Sequence, residues 1–250
     1  MSFKDHFSTQ AATYAKARPT YPPELFAALA AAAPGQSLAW DCGAGNGQAS
    51  VGLAAHFARV VATEPSAAQL TEAVAHPRIT YQQSAETVDG VADGSVDLVT
   101  AAQAAHWFNL AKFYSEVRRV LRPHGVVALV SYGVCAVEPT VDALVHRFYT
   151  ETVGPFWPPE RVMVESGYRG IDFPFSEFEF PQAVIERDWT AAEFAGYLGS
   201  WSAVARYRKQ HGHDPVEQFA PALAAAWGAG KRRVVWPLTG RIGRASSQEI

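Results

Sequence analysis

At 250 residues, with 48 % hydrophobic and 18 % charged side chains, the chain can bury a full core, and its size suits one domain with additions. A formal net charge of −3 offers no broad basic field, and the run Lys231-Arg232-Arg233 is too short to supply one, so no nucleic-acid partner is expected. No stretch approaches the ~18 apolar residues of a membrane span, and the start Met1-Ser2-Phe3-Lys4-Asp5-His6 lacks a signal peptide's apolar region, so a cytoplasmic location with no membrane partner is expected.

The opening segment carries three prolines in Tyr14-Ala15-Lys16-Ala17-Arg18-Pro19-Thr20-Tyr21-Pro22-Pro23, which reads as a short helix and then an extended link. Pro22 and Pro23 can open the next helix, whose Leu25, Phe26 and Leu29 share one face before Pro34-Gly35 ends it. Leu38-Ala39-Trp40-Asp41-Cys42 is a short buried strand, Gly43, Gly45 and Gly47 form a tight turn, and a helix over Ala49–Phe57 follows. Val60 to Thr63, ending at Glu64, is the second strand. Ser66 and Gln69 have the spacing of a capping box, and Ile79 to Gln82 is a third strand. Val96 to Ala101 is the fourth, running into Gln103-Ala104-Ala105-His106-Trp107-Phe108. Asn109 caps a helix over Leu110–Leu121, Arg122-Pro123-His124-Gly125 breaks it, and Val126 to Tyr132 is a central strand apolar on both faces. Strands and helices alternating in this way predict an α/β fold with a doubly wound, mostly parallel sheet.

The remaining hundred residues abandon the alternation. A helix is expected over Pro139–Thr150, an aromatic loop at Phe156-Trp157-Pro158-Pro159 and an antiparallel strand around Phe175–Phe180. Thr190 with Glu193, and Asp214 with Pro215 and Glu217, start two helices. Val234 to Leu238 reads as a final edge strand, because Pro237 is tolerated there.

Glycines at a strand-to-helix turn bring backbone close to a ligand, beside the free amides of a new helix, so a nucleotide-like cofactor is expected at the turn. A dinucleotide is the first competitor, since Glu64 stands ~20 residues on, where a ribose-binding acid belongs. Three details oppose it. The third glycine falls one residue short of the dinucleotide pattern, no second nucleotide-binding half follows, and the charge of Asp41 would repel a pyrophosphate while suiting ammonium and sulfonium groups. Cys42 and Cys135 offer neither a disulfide framework nor a metal spacing and read as small buried side chains. His211-Gly212-His213-Asp214 precedes a helix start that Asp214 caps, and no metal site is expected there.

The glycine stretch, Glu64, Ala85-Glu86, Ser95-Val96-Asp97-Leu98-Val99 and Arg122-Pro123-His124-Gly125 resemble, in order, the motifs of the class I S-adenosylmethionine-dependent methyltransferases, over about Tyr14 to Tyr132. Tyr14-Ala15, Arg18-Pro19, Tyr21-Pro22 and Gln103 to Phe108 resemble more narrowly the branch containing trans-aconitate methyltransferases and similar small-molecule enzymes. The resemblance implies a Rossmann-like sheet of seven strands with an antiparallel last strand. It divides the single domain 1–250 into an N-terminal lid with helices (1–35), a cofactor-binding core (36–135) and inserted helices and aromatic loops forming an acceptor cap (139–230).

It also implies S-adenosyl-L-methionine as cofactor. Asp41 and the backbone of Gly43, Ala44 and Gly45 would surround its methionine part, Glu64 would accept both ribose hydroxyls, and Ala85 and Glu86 would meet the adenine. Gln103 would lie near the reactive methyl group, and Tyr14 and Arg18 would close as a lid. His106 is the catalytic candidate, because it stands near that methyl group and titrates near neutrality. For the acceptor, a small molecule and by branch resemblance a carboxylic acid, the expected pocket draws on Phe156, Trp157, Tyr168, Trp189, Tyr197 and Trp201, with Trp157, Tyr168 and Trp201 foremost; Arg161 and Arg169 flank it. The rival readings are a cofactor-binding protein without turnover and a nicotinamide-dependent oxidoreductase.

Overall fold

The computed structural model describes residues 19–245. Helix α1 (Pro23–Ala32) opens on proline, whose fixed φ suits a first helical turn, and buries Leu25, Phe26 and Leu29. Strand β1 (Leu38–Cys42) leads through the glycine turn into α2 (Gln48–Ala54). Then come β2 (Arg59–Thr63), α3 (Ala67–Thr71), β3 (Ile79–Gln82) and β4 (Val96–Ala102). The side chain of Asn109 accepts the Lys112 amide at 3.2 Å to start α4 (Leu110–Val120), which passes directly into β5 (Leu121–Tyr132). The stretch Arg122 to Gly125 is the irregular start of that strand, with His124 at φ 63°.

Strands β1 to β5 are all parallel, in the order β3-β2-β1-β4-β5. Alternation along them feeds two cores. Ala39, Leu98, Val126, Ala128 and Val130 face α1, α2 and the C-terminal helices, whereas Trp40, Val99, Val127 and Leu129 face Phe113 and Val117 of α4. Two of the motif residues serve the end of the sheet remote from the glycine turn. Asp97 accepts the Ser37 and Leu38 amides at 2.8 and 2.9 Å and pairs with Arg122 at 2.9 Å, tying the starts of β1, β4 and β5 together.

The C-terminal hundred residues supply α5 (Pro139–Arg147), which runs on as a wider turn over Phe148–Thr152, then α6 (Arg161–Glu165), β6 (Ser176–Phe178) and β7 (Val184–Trp189). Helices α7 (Ala191–Gly199), α8 (Ser202–His211) and α9 (Pro215–Trp227) and strand β8 (Arg232–Arg244) complete the chain. The Rossmann-like class is as expected, with the sheet extended to eight strands. β8 is antiparallel to β5, and both β6 and β7 pair with it.

β8 is therefore not the edge strand that Pro237 predicts. Its pairing with β7 ends at Pro237 and its pairing with β5 begins at Leu238, so the residue without an amide hydrogen sits where the strand changes partners. Among the described residues no helix is long and apolar enough to cross a membrane.

Candidate active site

The strand order reverses between β1 and β4, and the loops leaving their C-terminal ends diverge to open a crevice. A cavity of about 1090 Å³ fills it. Its floor is the glycine turn, where Gly43, Gly45 and Gly47 all have positive φ (71°, 57° and 86°). A Cβ on Gly43 would stand 2.5 Å from that of Ala104, so the turn and the loop after β4 interlock through this glycine. At Gly45 a Cβ would meet nothing closer than Gln69 Oε1 at 3.9 Å, which leaves the backbone open to a ligand.

Four amides of the turn are engaged within the protein. Gly43 and Ala44 donate to the Thr63 carbonyl at 2.8 and 3.0 Å, Gly45 donates to Glu64 Oε2 at 2.9 Å, and Gly47 donates to Ala44 at 2.9 Å. These four groups are already paired within the protein, and the helix that follows opens at Gln48 with no side-chain cap, Gln48 and Ala49 bordering the cavity. Asp41, at the end of β1, is fully buried and accepts from Ser50 Oγ at 2.6 Å and Thr100 Oγ1 at 3.0 Å. Burial raises its carboxyl above the ordinary 3.8, and the two hydroxyls oppose that rise. A negative group under the turn favours a cationic ligand over an anionic one.

Glu64, buried at the end of β2, has each oxygen aimed by an amide, Gly45 on Oε2 and Ser66 on Oε1, both at 2.9 Å. A carboxylate has about four lone-pair directions, so one oriented in this way can also accept from vicinal hydroxyls. Beside it, the Ala85 carbonyl accepts the Cys42 thiol at 3.3 Å, and Glu86 Oε1 accepts the Asn109 amide at 2.8 Å. Both cysteines are buried, which raises their thiols, that of Cys135 to about 12.

Gln103 begins the loop after β4 with φ 54°, unusual for a residue with a Cβ. Its amide donates to the Val130 carbonyl at 2.8 Å and its side-chain Nε2 to the Tyr132 carbonyl at 2.9 Å, and both bonds hold the bend over the end of β5. His106 follows on the same loop and lines the cavity, its Nδ1 3.1 Å from the hydroxyl of Tyr168. Tyr168 is fully buried at φ 64°, and burial raises its phenol while the Ala105 and His106 backbone oppose the rise. It stays a neutral O–H group.

Asp41, Gly43, Ala44, Gly45, Glu64, Ala85, Glu86, Gln103 and His106 thus all border one cavity. Tyr14 and Arg18 lie outside the described residues, whereas Pro19 and Tyr21 next to them in sequence line the cavity.

The aromatic pocket is a correction. Phe156, Trp157, Tyr168, Trp189, Tyr197 and Trp201 do not line the cavity. Trp201 is buried among Phe148, Tyr149, Trp157 and Tyr197, with ring centroids 5.5 to 6.2 Å away, and Trp157 packs against Tyr149 at 4.8 Å. Their spacing is that of a helical core, and they hold the cap together. Tyr168 stands behind His106. The cap instead meets the cavity through Pro159, Glu160 and Met163 around the start of α6 and Arg206 on α8, none of which carries a sequence signal beyond following the Pro158-Pro159 pair. Arg161 is held within the cap, stacked 4.8 Å over Trp157 and bonded to the Tyr149 hydroxyl at 2.8 Å, and Arg169 is exposed. Asp214 caps α9 by accepting the Val216 amide, His213 meets the Tyr207 hydroxyl, and among the described residues no three His, Cys, Asp or Glu side chains are grouped to hold a metal.

The crevice at the switch point thus holds an acid beneath the turn and an oriented carboxylate beside it. Residues 40–129 match the methyltransferase domain family. A methyltransferase-named protein of Dictyostelium discoideum is 36 % identical over 90 % of this chain and 87 % of its own. A solved structure named for a type II methyltransferase of Anaeromyxobacter dehalogenans is 50 % identical, covers 91 % of this chain and 97 % of its own, and superposes with a TM-score of 0.86. A malonyl-acyl-carrier-protein O-methyltransferase of Dechloromonas aromatica is 38 % identical over 37 % of this chain and 36 % of its own. The chain belongs to the class I S-adenosylmethionine-dependent methyltransferases, and it is an enzyme of that class. The nicotinamide and non-catalytic readings fall with that membership.

Proposed function

We propose that this enzyme methylates a small-molecule acceptor, a carboxylic acid, held between the loop after β4 and the cap. The observation that carries the proposal is the single cavity that runs from the glycine turn to Pro159, Glu160, Met163 and Arg206, since a cap over the crevice leaves room beside the cofactor for a compact acceptor. O-methylation is also the reaction in the name of the Dechloromonas relative.

The cofactor, when bound, supplies a sulfonium-borne methyl group. In this reading Glu64 accepts the two ribose hydroxyls, the open backbone at Gly45 lets the cofactor lie against the turn, and Asp41 places negative charge under its cationic end. Ala85 and Glu86 flank the adenine. Gln103, fixed to β5 by two hydrogen bonds, sets the loop on which His106 faces the acceptor. Holding donor and acceptor in line supplies about 7–11 kcal/mol of the barrier, and a carboxylate acceptor needs no base. His106 then orients the acceptor as a hydrogen-bond partner.

Calorimetry with S-adenosylhomocysteine, followed by an acceptor screen with labelled methyl donor, tests the proposal. Binding of the product and labelling of carboxylic acids in preference to amines and nucleic acids is the expected result. Label appearing only on amines or on nucleic acid would overturn it.

A further inference from the structure

We propose that Arg206 is the specificity-determining residue of the acceptor site and that it takes an oxyanion of the acceptor, a carboxylate or a phosphate. The proposal rests on the methyltransferase reading above and adds the chemical class of the group recognised.

Arg206 projects from α8, lines the cavity and is only half exposed. Its one hydrogen bond within the described residues runs from Nη1 to the Phe156 carbonyl at 3.4 Å, and it forms no ion pair among them. Arg119, Arg122, Arg161, Arg208, Arg232, Arg233 and Arg241 all have carboxylate partners. Arg59, Arg78, Arg147 and Arg169 lie exposed in water, and Arg118, Arg187 and Arg244, half-buried without an ion pair among the described residues, do not line the cavity. A guanidinium that is partly withdrawn from water, faces a cavity and lacks a counter-charge is an anion site in waiting, because desolvating a cation is unfavourable until it is paired. Its planar fork matches a carboxylate or a phosphate.

His106 lines the same cavity with its Nδ1 3.1 Å from the Tyr168 hydroxyl, and an imidazole N–H can donate to an oxyanion. Glu160 also lines the cap wall and forms no ion pair among the described residues. It defines the competing outcome, a cationic acceptor.

The test uses Arg206→Met, Arg206→Lys and Glu160→Gln. S-adenosylhomocysteine affinity is measured first, then calorimetric titration of the product-loaded protein with succinate, malonate and glycerol 3-phosphate against dimethyl succinate and glycerol. The expected result is binding of at least one anionic probe and none of its neutral counterpart. That affinity should fall about 10- to 100-fold in Arg206→Met and recover in part in Arg206→Lys, with product affinity within twofold of wild type. The carboxylate and phosphate arms distinguish the two oxyanions. If Arg206→Met weakens the product instead, Arg206 serves the cofactor's carboxylate and the proposal falls. It falls equally if neutral probes bind as well as anionic ones, or if Glu160→Gln and not Arg206→Met removes probe binding. Failure of the wild type to bind the product would break the underlying methyltransferase reading instead.

Discussion

On the glycine-turn wall of the cavity, Glu64 and Gln103 are fixed by hydrogen bonds of 2.8 to 2.9 Å to backbone groups in and beside the parallel strands, whereas the C-terminal wall rests on rings, with Trp201 wedged between Phe148, Tyr149, Trp157 and Tyr197. Directional bonds to the sheet place atoms to a fraction of an ångström. Ring packing fills volume and tolerates change of shape more readily. On the proposed function, this gives a donor side set by the frame of the sheet and an acceptor side set by side-chain packing.

The largest effect that could break this division is on stability. Trp201→Ala should cost about 3–5 kcal/mol by emptying the centre of the cap, while S-adenosylhomocysteine affinity changes less than about twofold under folding conditions. Urea unfolding with calorimetry checks both, and a parallel loss of affinity would show that the walls are not separate. Glu64→Gln should do the reverse, weakening the product by about 100-fold through loss of charge-assisted bonds while shifting the unfolding midpoint little.

A smaller effect is expected where the walls meet. Tyr168→Phe removes the hydroxyl that orients His106 and should lower turnover about 2- to 10-fold with product affinity unchanged, read by single-turnover labelling. The smallest concerns Asp41. Because burial raises its folded carboxyl above 3.8, its contribution to stability is complete below that pH and is lost as pH rises through the folded value. Asp41→Asn should therefore gain melting temperature relative to wild type at pH 8 compared with pH 4, in the absence of cofactor. An unchanged difference across that range would mean the carboxyl is not raised.

What the sequence disclosed follows the same division. The glycine turn, the caps at Ser66, Asn109, Thr190 and Asp214 and the apolar strands are encoded within a few residues of where they act, and each forms as read. Helix α8 escaped notice because it starts at Ser202 behind Trp201, which supplies no side-chain cap. Trp157, Tyr168 and Trp201 were expected in the pocket because an aromatic residue in a core and one lining a cavity have the same local spacing; only long-range packing separates them. Arg206 and Glu160 reach the cavity through helix placement, which no short motif records. Pro237 misled because a strand can change partners within its length.

β8 also bears on how the chain is made. Strands β1 to β5 find parallel partners among themselves as each leaves the ribosome, but β6 and β7 both pair with β8, more than fifty residues after β6. Until residues 232–244 emerge, a nascent chain carries an assembled parallel sheet and three strand edges, those of β5, β6 and β7, that wait for β8. Chaperone dependence should therefore concentrate late in synthesis, and stalling before β8 should yield aggregates that still contain an ordered parallel sheet.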